Sequence, residues 1–142
     1  MKTKKILFVC KYNAFRSRVA EEYFNKINAG RKIRSISRGI IMGGDSDSVQ
    51  RRIVKSLLGA NISKRKPLPL TLQNMKDADL IFIVANDIPR MVFNYRLSPI
   101  QKKLTIWNIK DEPNMNQANI RKIILSIKRK VDELNQRLQK SK

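Results

Sequence analysis

Four short segments rich in hydrophobic residues recur along the chain and predict β-strands. They cover residues 6–9, 33–37, 80–85 and 104–109, and the first and third are continuously apolar. Strands of a parallel sheet covered on both faces have this pattern, whereas half-exposed strands alternate apolar and polar residues. We therefore expect a buried parallel sheet.

Segments with helical periodicity lie between these strands. One apolar face covers residues 19–27 before Gly30, and a second covers residues 49–58, between the capping candidates at 45–48 and Gly59. Apolar residues spaced three and four apart form one side of a helix, and glycine commonly follows its end. Both segments are therefore predicted to be amphipathic helices.

Two further helices are predicted in the second half of the chain. Asp87, followed by Pro89, is interpreted as the cap of a third helix that extends to about Leu97. An apolar stripe over residues 120–138 predicts the last helix. Strands that alternate with helices predict an α/β fold, which we expect to be one domain (residues 1–142): a three-layer, open, four-stranded parallel sheet with helices on both faces.

The turn after the first strand is the strongest candidate for a functional site. In open α/β sheets, ligands bind beyond the carboxyl ends of the strands. A short loop that leads directly into a helix points backbone N–H groups at its centre and can hold an anion there. The predicted phosphate-binding loop follows the first strand and reads Cys10-Lys11-Tyr12-Asn13-Ala14-Phe15-Arg16-Ser17.

Four side chains of this loop suit phosphoryl chemistry. Arg16 has the planar fork that matches two oxygens of a tetrahedral oxyanion, and Asn13 tolerates the left-handed backbone of a tight loop. Cations and helix N-termini favour the thiolate form of a cysteine, so Cys10 is the predicted nucleophile, with Ser17 placed to donate a hydrogen bond to it. The alternative is that Cys10 is a small buried apolar residue at a strand end.

Composition narrows the chemistry. The chain of 142 residues has one cysteine and no histidine, which excludes an internal disulfide, Cys/His zinc sites and acid–base catalysis by histidine. We expect no metal and no cofactor, and the lone thiol suits a cytoplasmic location. The apolar run near the N-terminus is too short for an export signal or a membrane span, so no membrane contact is expected.

The net charge of +20, from 31 basic and 11 acidic residues, is compatible with binding to a polyanionic partner. However, the basic residues are scattered through every segment, and no aromatic series forms a platform for stacking bases. Nucleic acid is therefore a less favoured partner than a phosphorylated protein or a small phosphomonoester.

The loop and its setting resemble the low-molecular-weight protein tyrosine phosphatase family. The resemblance covers nearly the whole chain, including the segment 37–39 and an acidic-proline loop before the last helix. The family's loop usually reads Cys-x-Gly-Asn-x-Cys-Arg-Ser; here Tyr12 replaces the glycine and Phe15 the second cysteine. The resemblance implies strand order 2-1-3-4 and a metal-independent phosphatase with a cysteinyl-phosphate intermediate, whose loop also takes inorganic phosphate, sulfate or vanadate.

The resemblance also implies a general acid, an aspartate just before a proline. Asp111 is the candidate, although Glu112 separates it from Pro113. An alkoxide or phenoxide leaving group must be protonated, and no histidine is present to do so. Asp111 is the favoured acid and Glu112 the alternative.

Alternative functions stay open. Arsenate reductases share this fold and loop, but those coupled to thioredoxin use further cysteines that this chain lacks, so an external thiol would be needed. A non-catalytic oxyanion- or polyanion-binding module is the other alternative, although binding alone needs no nucleophile. Phosphotyrosine leads as substrate by resemblance, while phosphoarginine and small phosphoesters stay open because residues 113–116 include no aromatic side chain.

Overall fold

The computed structural model describes residues 3–93 and 98–140, and its centre is a four-stranded parallel sheet. The sheet order β2-β1-β3-β4 confirms the expected topology, and every neighbouring pair of strands is parallel. The strand ends differ from the predicted ones by three residues at most. The strands are β1 (Lys5–Cys10), β2 (Arg34–Gly39), β3 (Leu80–Ile83) and β4 (Leu104–Ile106).

Each strand is followed along the chain by at least one helix. In the described part of the chain, no helix is long and apolar enough to cross a membrane. Both predicted caps of α2 are confirmed: the Asp47 carboxylate accepts the N–H of Val49, and Gly59 ends the helix in the left-handed conformation with φ 66°. The α-helices are α1 (Arg16–Ile27), α2 (Ser48–Leu58), α3 (Leu72–Asp77), α4 (Ser98–Gln101) and α5 (Gln117–Lys140), with a 3-10 helix at Arg90–Phe93.

The predicted third helix is the part of the fold that the sequence pattern got wrong. Asp87 does not cap an α-helix, because its carboxylate bonds to Arg16 and the described residues that follow it, up to Phe93, form only a short 3-10 helix. The predicted end at Leu97 lies outside the described residues. In contrast, α3 was missed because it buries no side chain and so has no apolar stripe; a capping box from Thr71 to Asn74 starts it.

The core lies on both faces of the sheet. Ile6 and Phe8 of β1 belong to one cluster with residues of α1, α2 and α5, whereas Leu7 and Val9 face a second cluster that includes Phe93. Burying one such side chain contributes about 1.5–3 kcal/mol. Because β1 is buried on both faces, the loop at its carboxyl end starts from a fixed position.

Candidate active site

The loop between β1 and α1 is pressed against the end of β2. A Cβ atom on Gly39 would lie 2.7 Å from the backbone of both Tyr12 and Asn13, so glycine is required for this approach. Asn13 has φ 55°, which confirms the predicted left-handed conformation. The carbonyl of Lys11 accepts the N–H groups of Ile40 and of residue 41, at 2.9 and 2.8 Å, so the loop backbone is held in place.

The backbone N–H groups of this loop are free to bind an anion. Among the described residues, the N–H groups at 12–15 donate to no protein acceptor. Phe15 stands at the N-cap of α1 and makes no side-chain cap, so the first N–H groups of the helix are also open. A helix N-terminus carries partial positive charge, and unpaired amides next to it suit a tetrahedral oxyanion.

Cys10 lies at the base of the loop with its sulfur against a hydroxyl. The residue is 2% exposed, and its Sγ is 3.0 Å from the Oγ of Ser17. That oxygen accepts a hydrogen bond of 2.8 Å from the Nδ2 of Asn13. A thiolate can only accept, so the single hydrogen of this hydroxyl can be donated to the deprotonated sulfur, and such donation favours the thiolate.

Arg16 is fixed by two partners from other parts of the sheet. Its Nη2 donates to both carboxylate oxygens of Asp87, at 3.1 and 3.2 Å, and its Nη1 donates to the carbonyl of Ile109 at 2.8 Å. The guanidinium is buried and also lines the cavity that contains Cys10. Asp87 therefore orients the arginine, a role that its sequence context did not indicate.

A cavity of about 240 Å³ opens above the loop and brings most of the predicted site residues together. Asn13 and Ser17 lie buried beside the sulfur, and Lys11 lies outside the cavity with its ammonium 5.3 Å from the Tyr12 ring centre. One wall was not predicted to belong to the site: the segment 43–47, where a Cβ atom on Gly43 would lie 2.9 Å from the Tyr12 ring. The lining residues are Cys10, Tyr12, Ala14, Phe15, Arg16, Gly43, Gly44, Asp45, Asp47, Gln50, Asp111, Glu112, Pro113 and Met115.

The two acid candidates differ in their hydrogen bonds. Glu112 is buried, and its carboxylate accepts bonds from the Nδ2 of Asn119 at 2.8 Å and the N–H of Asn114 at 3.1 Å. The bond from Asn119 is the largest cause that holds the pKa of Glu112 below its usual range. Asp111 is half-buried and, within residues 3–93 and 98–140, accepts only the N–H of Glu112, at 2.9 Å. Glu112 is thus suited to hold the loop as an anion.

Charged side chains beneath the loop were missed by the sequence analysis. Arg18 is buried and pairs with Asp45 at 2.7 Å, and its pKa is lowered, mainly by burial. Glu21 is likewise buried and pairs with Arg65 at 2.8 Å. Both lie on the side of α1 opposite its apolar stripe, so the helical pattern predicted them to be exposed and carried no signal of their burial.

The chain belongs to the low molecular weight phosphotyrosine protein phosphatase family, whose model matches residues 5–142. This confirms the resemblance inferred from the loop. The members of this family are phosphatases, so the chain belongs to a family of enzymes. Among curated proteins, no sequence is significantly similar to this chain.

Solved structures with the same fold include several phosphatases. A low molecular weight protein tyrosine phosphatase from T. tengcongensis is 23% identical, with a TM-score of 0.83 over 95% of this chain and 99% of that one. The YwlE arginine phosphatase from Geobacillus stearothermophilus is 19% identical, with a TM-score of 0.82 over 97% and 94%. Vibrio vulnificus Wzb in complex with benzylphosphonate is 17% identical, with a TM-score of 0.80 over 95% and 99%. These likenesses confirm the fold.

Proposed function

We propose that this protein is a metal-independent phosphomonoester hydrolase of the protein tyrosine phosphatase type, with Cys10 as its nucleophile. One observation carries the proposal: Cys10, Arg16 and Asp111 line one cavity above a loop of unpaired N–H groups. This set supplies a nucleophile, an oxyanion clamp and a proton donor, which are the groups that phosphoryl transfer through a covalent intermediate requires.

In the first step, the substrate's phosphoryl oxygens bind the N–H groups of the loop and the free N–H groups of Arg16. The Cys10 thiolate attacks phosphorus, so that the S–P bond forms while the bond from phosphorus to the leaving oxygen breaks. Asp111, protonated at this stage, gives its proton to that oxygen and becomes a carboxylate. The leaving group departs as a neutral alcohol or phenol.

In the second step, water hydrolyses the cysteinyl phosphate. The Asp111 carboxylate takes a proton from the water, whose oxygen attacks phosphorus as the S–P bond breaks. Inorganic phosphate leaves, and Cys10 returns as a thiolate that accepts the Ser17 hydrogen bond. No metal or redox partner enters this balance.

Phosphotyrosine on a protein is the proposed substrate, in keeping with the family. Tyr12 is half-buried and lines the cavity, so its ring supports the aromatic ring of a substrate, whereas Phe15 is 4% exposed and packs in the core. Phosphoarginine is the second candidate, favoured by the carboxylates of Asp45, Asp47 and Asp111 in the cavity lining. Comparing kcat/KM for matched phosphotyrosine and phosphoarginine peptides decides between them.

An assay with an aryl phosphate, run with a chelator and with vanadate, tests the proposed activity. We expect turnover that the chelator leaves unchanged and vanadate inhibits, because vanadate occupies the phosphoryl site. Absence of turnover together with salt-dependent RNA binding of steep slope would instead indicate a polyanion-binding module. Arsenate reduction that requires an added thiol, without phosphate release, would indicate a reductase.

Replacing Asp111 by asparagine is expected to slow substrates according to their leaving group. We expect kcat to fall about 10²-fold for a phenyl phosphate, whose leaving group needs a proton, and about tenfold or less for a nitrophenyl phosphate. The measurement is kcat for a series of aryl phosphates, plotted against the pKa of the leaving phenol.

Glu112→Gln is the matched control, because it removes one carboxylate from the neighbouring position of the same loop. Since Glu112 serves as a hydrogen-bond acceptor for Asn114 and Asn119, its replacement should change all substrates by a similar factor. A steep dependence on the leaving group in Glu112→Gln, and none in Asp111→Asn, would assign the acid to Glu112.

A further inference from the structure

The Asn13 amide beneath the loop has all of its hydrogen-bonding capacity in use. Its two N–H groups donate to the hydroxyls of Ser17 and Ser37, at 2.8 and 2.9 Å. Its oxygen accepts the Nη1 of Arg65 at 3.0 Å and the N–H of Leu68 at 2.9 Å. An arginine can only donate, so the atom that faces it must be the amide oxygen, which leaves the amide nitrogen facing the two serines.

This orientation controls the hydrogen bond to the nucleophile. Because the group that Asn13 presents to Ser17 is an N–H donor, the single hydrogen of the Ser17 hydroxyl is not taken by the amide and can be donated to a deprotonated Cys10 sulfur. If the amide turned over, its oxygen would compete with the sulfur for that hydrogen. Arg65 thus acts on Cys10 through two intervening side chains.

Glu21 completes the arrangement on the far side of Arg65. Its carboxylate accepts the Ser37 hydroxyl at 2.5 Å and pairs with the Arg65 guanidinium at 2.8 Å. The side chains of Glu21 and Arg65 are 11% and 25% exposed, so neither charge is well solvated. Without the arginine, Glu21 would present an uncompensated negative charge beneath the loop, which would disfavour both a thiolate and a bound phosphate.

We propose that Arg65, together with Glu21, positions the Asn13–Ser17 hydrogen bonds and balances the charge beneath the loop, so that Cys10 is held as a thiolate. The proposal rests on the proposed function, because a thiolate matters only if Cys10 attacks phosphorus. Arg65 and Glu21 are positioning residues, since neither lines the cavity that contains the sulfur.

Other charged groups around the loop stay constant when Arg65 is changed. Arg16 lies in the loop itself, and Asp87 comes from the segment after β3. Further groups lie in the segment before α2 and in the loop of residues 111–113. Arg18 and Arg38 lie near Arg65, and its positive charge helps to lower the pKa of both. These groups are Lys11, Arg18, Arg38, Asp45, Asp47, Asp111 and Glu112.

The test is the ultraviolet absorbance of the thiolate as a function of pH, taken as the difference between each protein and its Cys10→Ser counterpart, so that the tyrosine signal cancels and only the one cysteine of the chain contributes. For Arg65→Met, we expect the midpoint to move to higher pH and the thiolate fraction at about pH 6 to fall roughly tenfold. Arg65→Lys keeps a donor and a charge and should recover most of the difference. Adding Glu21→Gln to Arg65→Met should also recover part of it, since the uncompensated carboxylate is gone.

Lys64→Met is the matched control, because it removes one positive charge from the adjacent position. The Lys64 side chain is 66% exposed and, among the residues that the structure describes, pairs only with Glu22, at 3.5 Å, so its replacement should leave the midpoint unchanged. An Arg65→Met profile that superimposes on the wild-type one would overturn the proposal. So would an equal shift in Lys64→Met.

Glu21→Gln alone keeps the proposal testable if Arg65→Met fails to fold. In this variant the Arg65 charge has lost its carboxylate, so the midpoint should move to lower pH; a shift in the opposite direction, or none, would contradict the proposal. The absorbance needs no turnover. A wild-type protein that titrates as expected but hydrolyses no phosphoester would therefore overturn the proposed function and not this inference.

Discussion

Replacing Cys10 by serine is expected to abolish hydrolysis of an aryl phosphate, with a loss of at least about 10⁴-fold in kcat. The Oγ of serine stays protonated near neutral pH, and no described residue next to the sulfur can act as a base, because its hydrogen-bond partner is another hydroxyl. The hydroxyl is also smaller than the thiol, so the loop should keep its shape. Steady-state hydrolysis of a nitrophenyl phosphate measures the loss.

Phosphate binding provides the control for Cys10→Ser. The N–H groups of the loop and the guanidinium of Arg16 remain in the variant, so phosphate or vanadate should raise its melting temperature about as much as that of the wild type. A variant that retained more than a few per cent of the activity would show that another group is the nucleophile. A variant that lost both activity and binding would show that Cys10 supports the loop.

Replacing Arg16 by lysine is expected to lower kcat/KM by about 10²–10³-fold, even though the charge is kept. The guanidinium bonds Asp87 and Ile109 with two of its nitrogens and still has N–H groups left for two phosphoryl oxygens. A lysine has one nitrogen and three donors, which cannot satisfy these partners and clamp a phosphate at the same time. The measurement is kcat/KM with an aryl phosphate, alongside the affinity for vanadate.

Arg34→Lys is the control for this substitution. Arg34 lies at the opposite end of β2, and in the described part of the chain its guanidinium bonds only the carbonyls of Asn28 and Ile33. The same chemical change there should therefore leave kcat/KM within about twofold of wild type. Equal losses in the two variants would indicate a general effect on stability. An Arg16→Lys variant with nearly full activity would show that charge alone suffices.

Much of the fold follows from local pattern. The strands and the helices α1, α2 and α5 were predictable because each buries a continuous apolar face, and Gly59 marks the end of α2 by its backbone preference. The role of Asp87 was not, since its carboxylate pairs with Arg16, which lies 71 positions earlier in the chain. A pattern read locally cannot distinguish a capping aspartate from one that pairs with a distant arginine.

In the candidate site, too, some residues could be identified from the sequence and others could not. Cys10, Asn13, Arg16 and Ser17 are contiguous and have recognisable chemistry, so the loop could be identified from the sequence. The charged and polar side chains that support the loop could not be identified, because the partner of Arg65 depends on how the chain folds over α1. The further members of this support are Glu21, Ser37 and Asp87.

Covalent phosphorylation of Cys10 during turnover is the central claim, and trapping that species tests it most directly. Wild-type protein is mixed with an aryl phosphate, quenched rapidly in acid and digested, and the peptide containing Cys10 is analysed by mass spectrometry. The account predicts a phosphate on that sulfur which forms before the steady state and is absent from Cys10→Ser. Rapid turnover with an unmodified Cys10 peptide, or with phosphate on another residue, would contradict it.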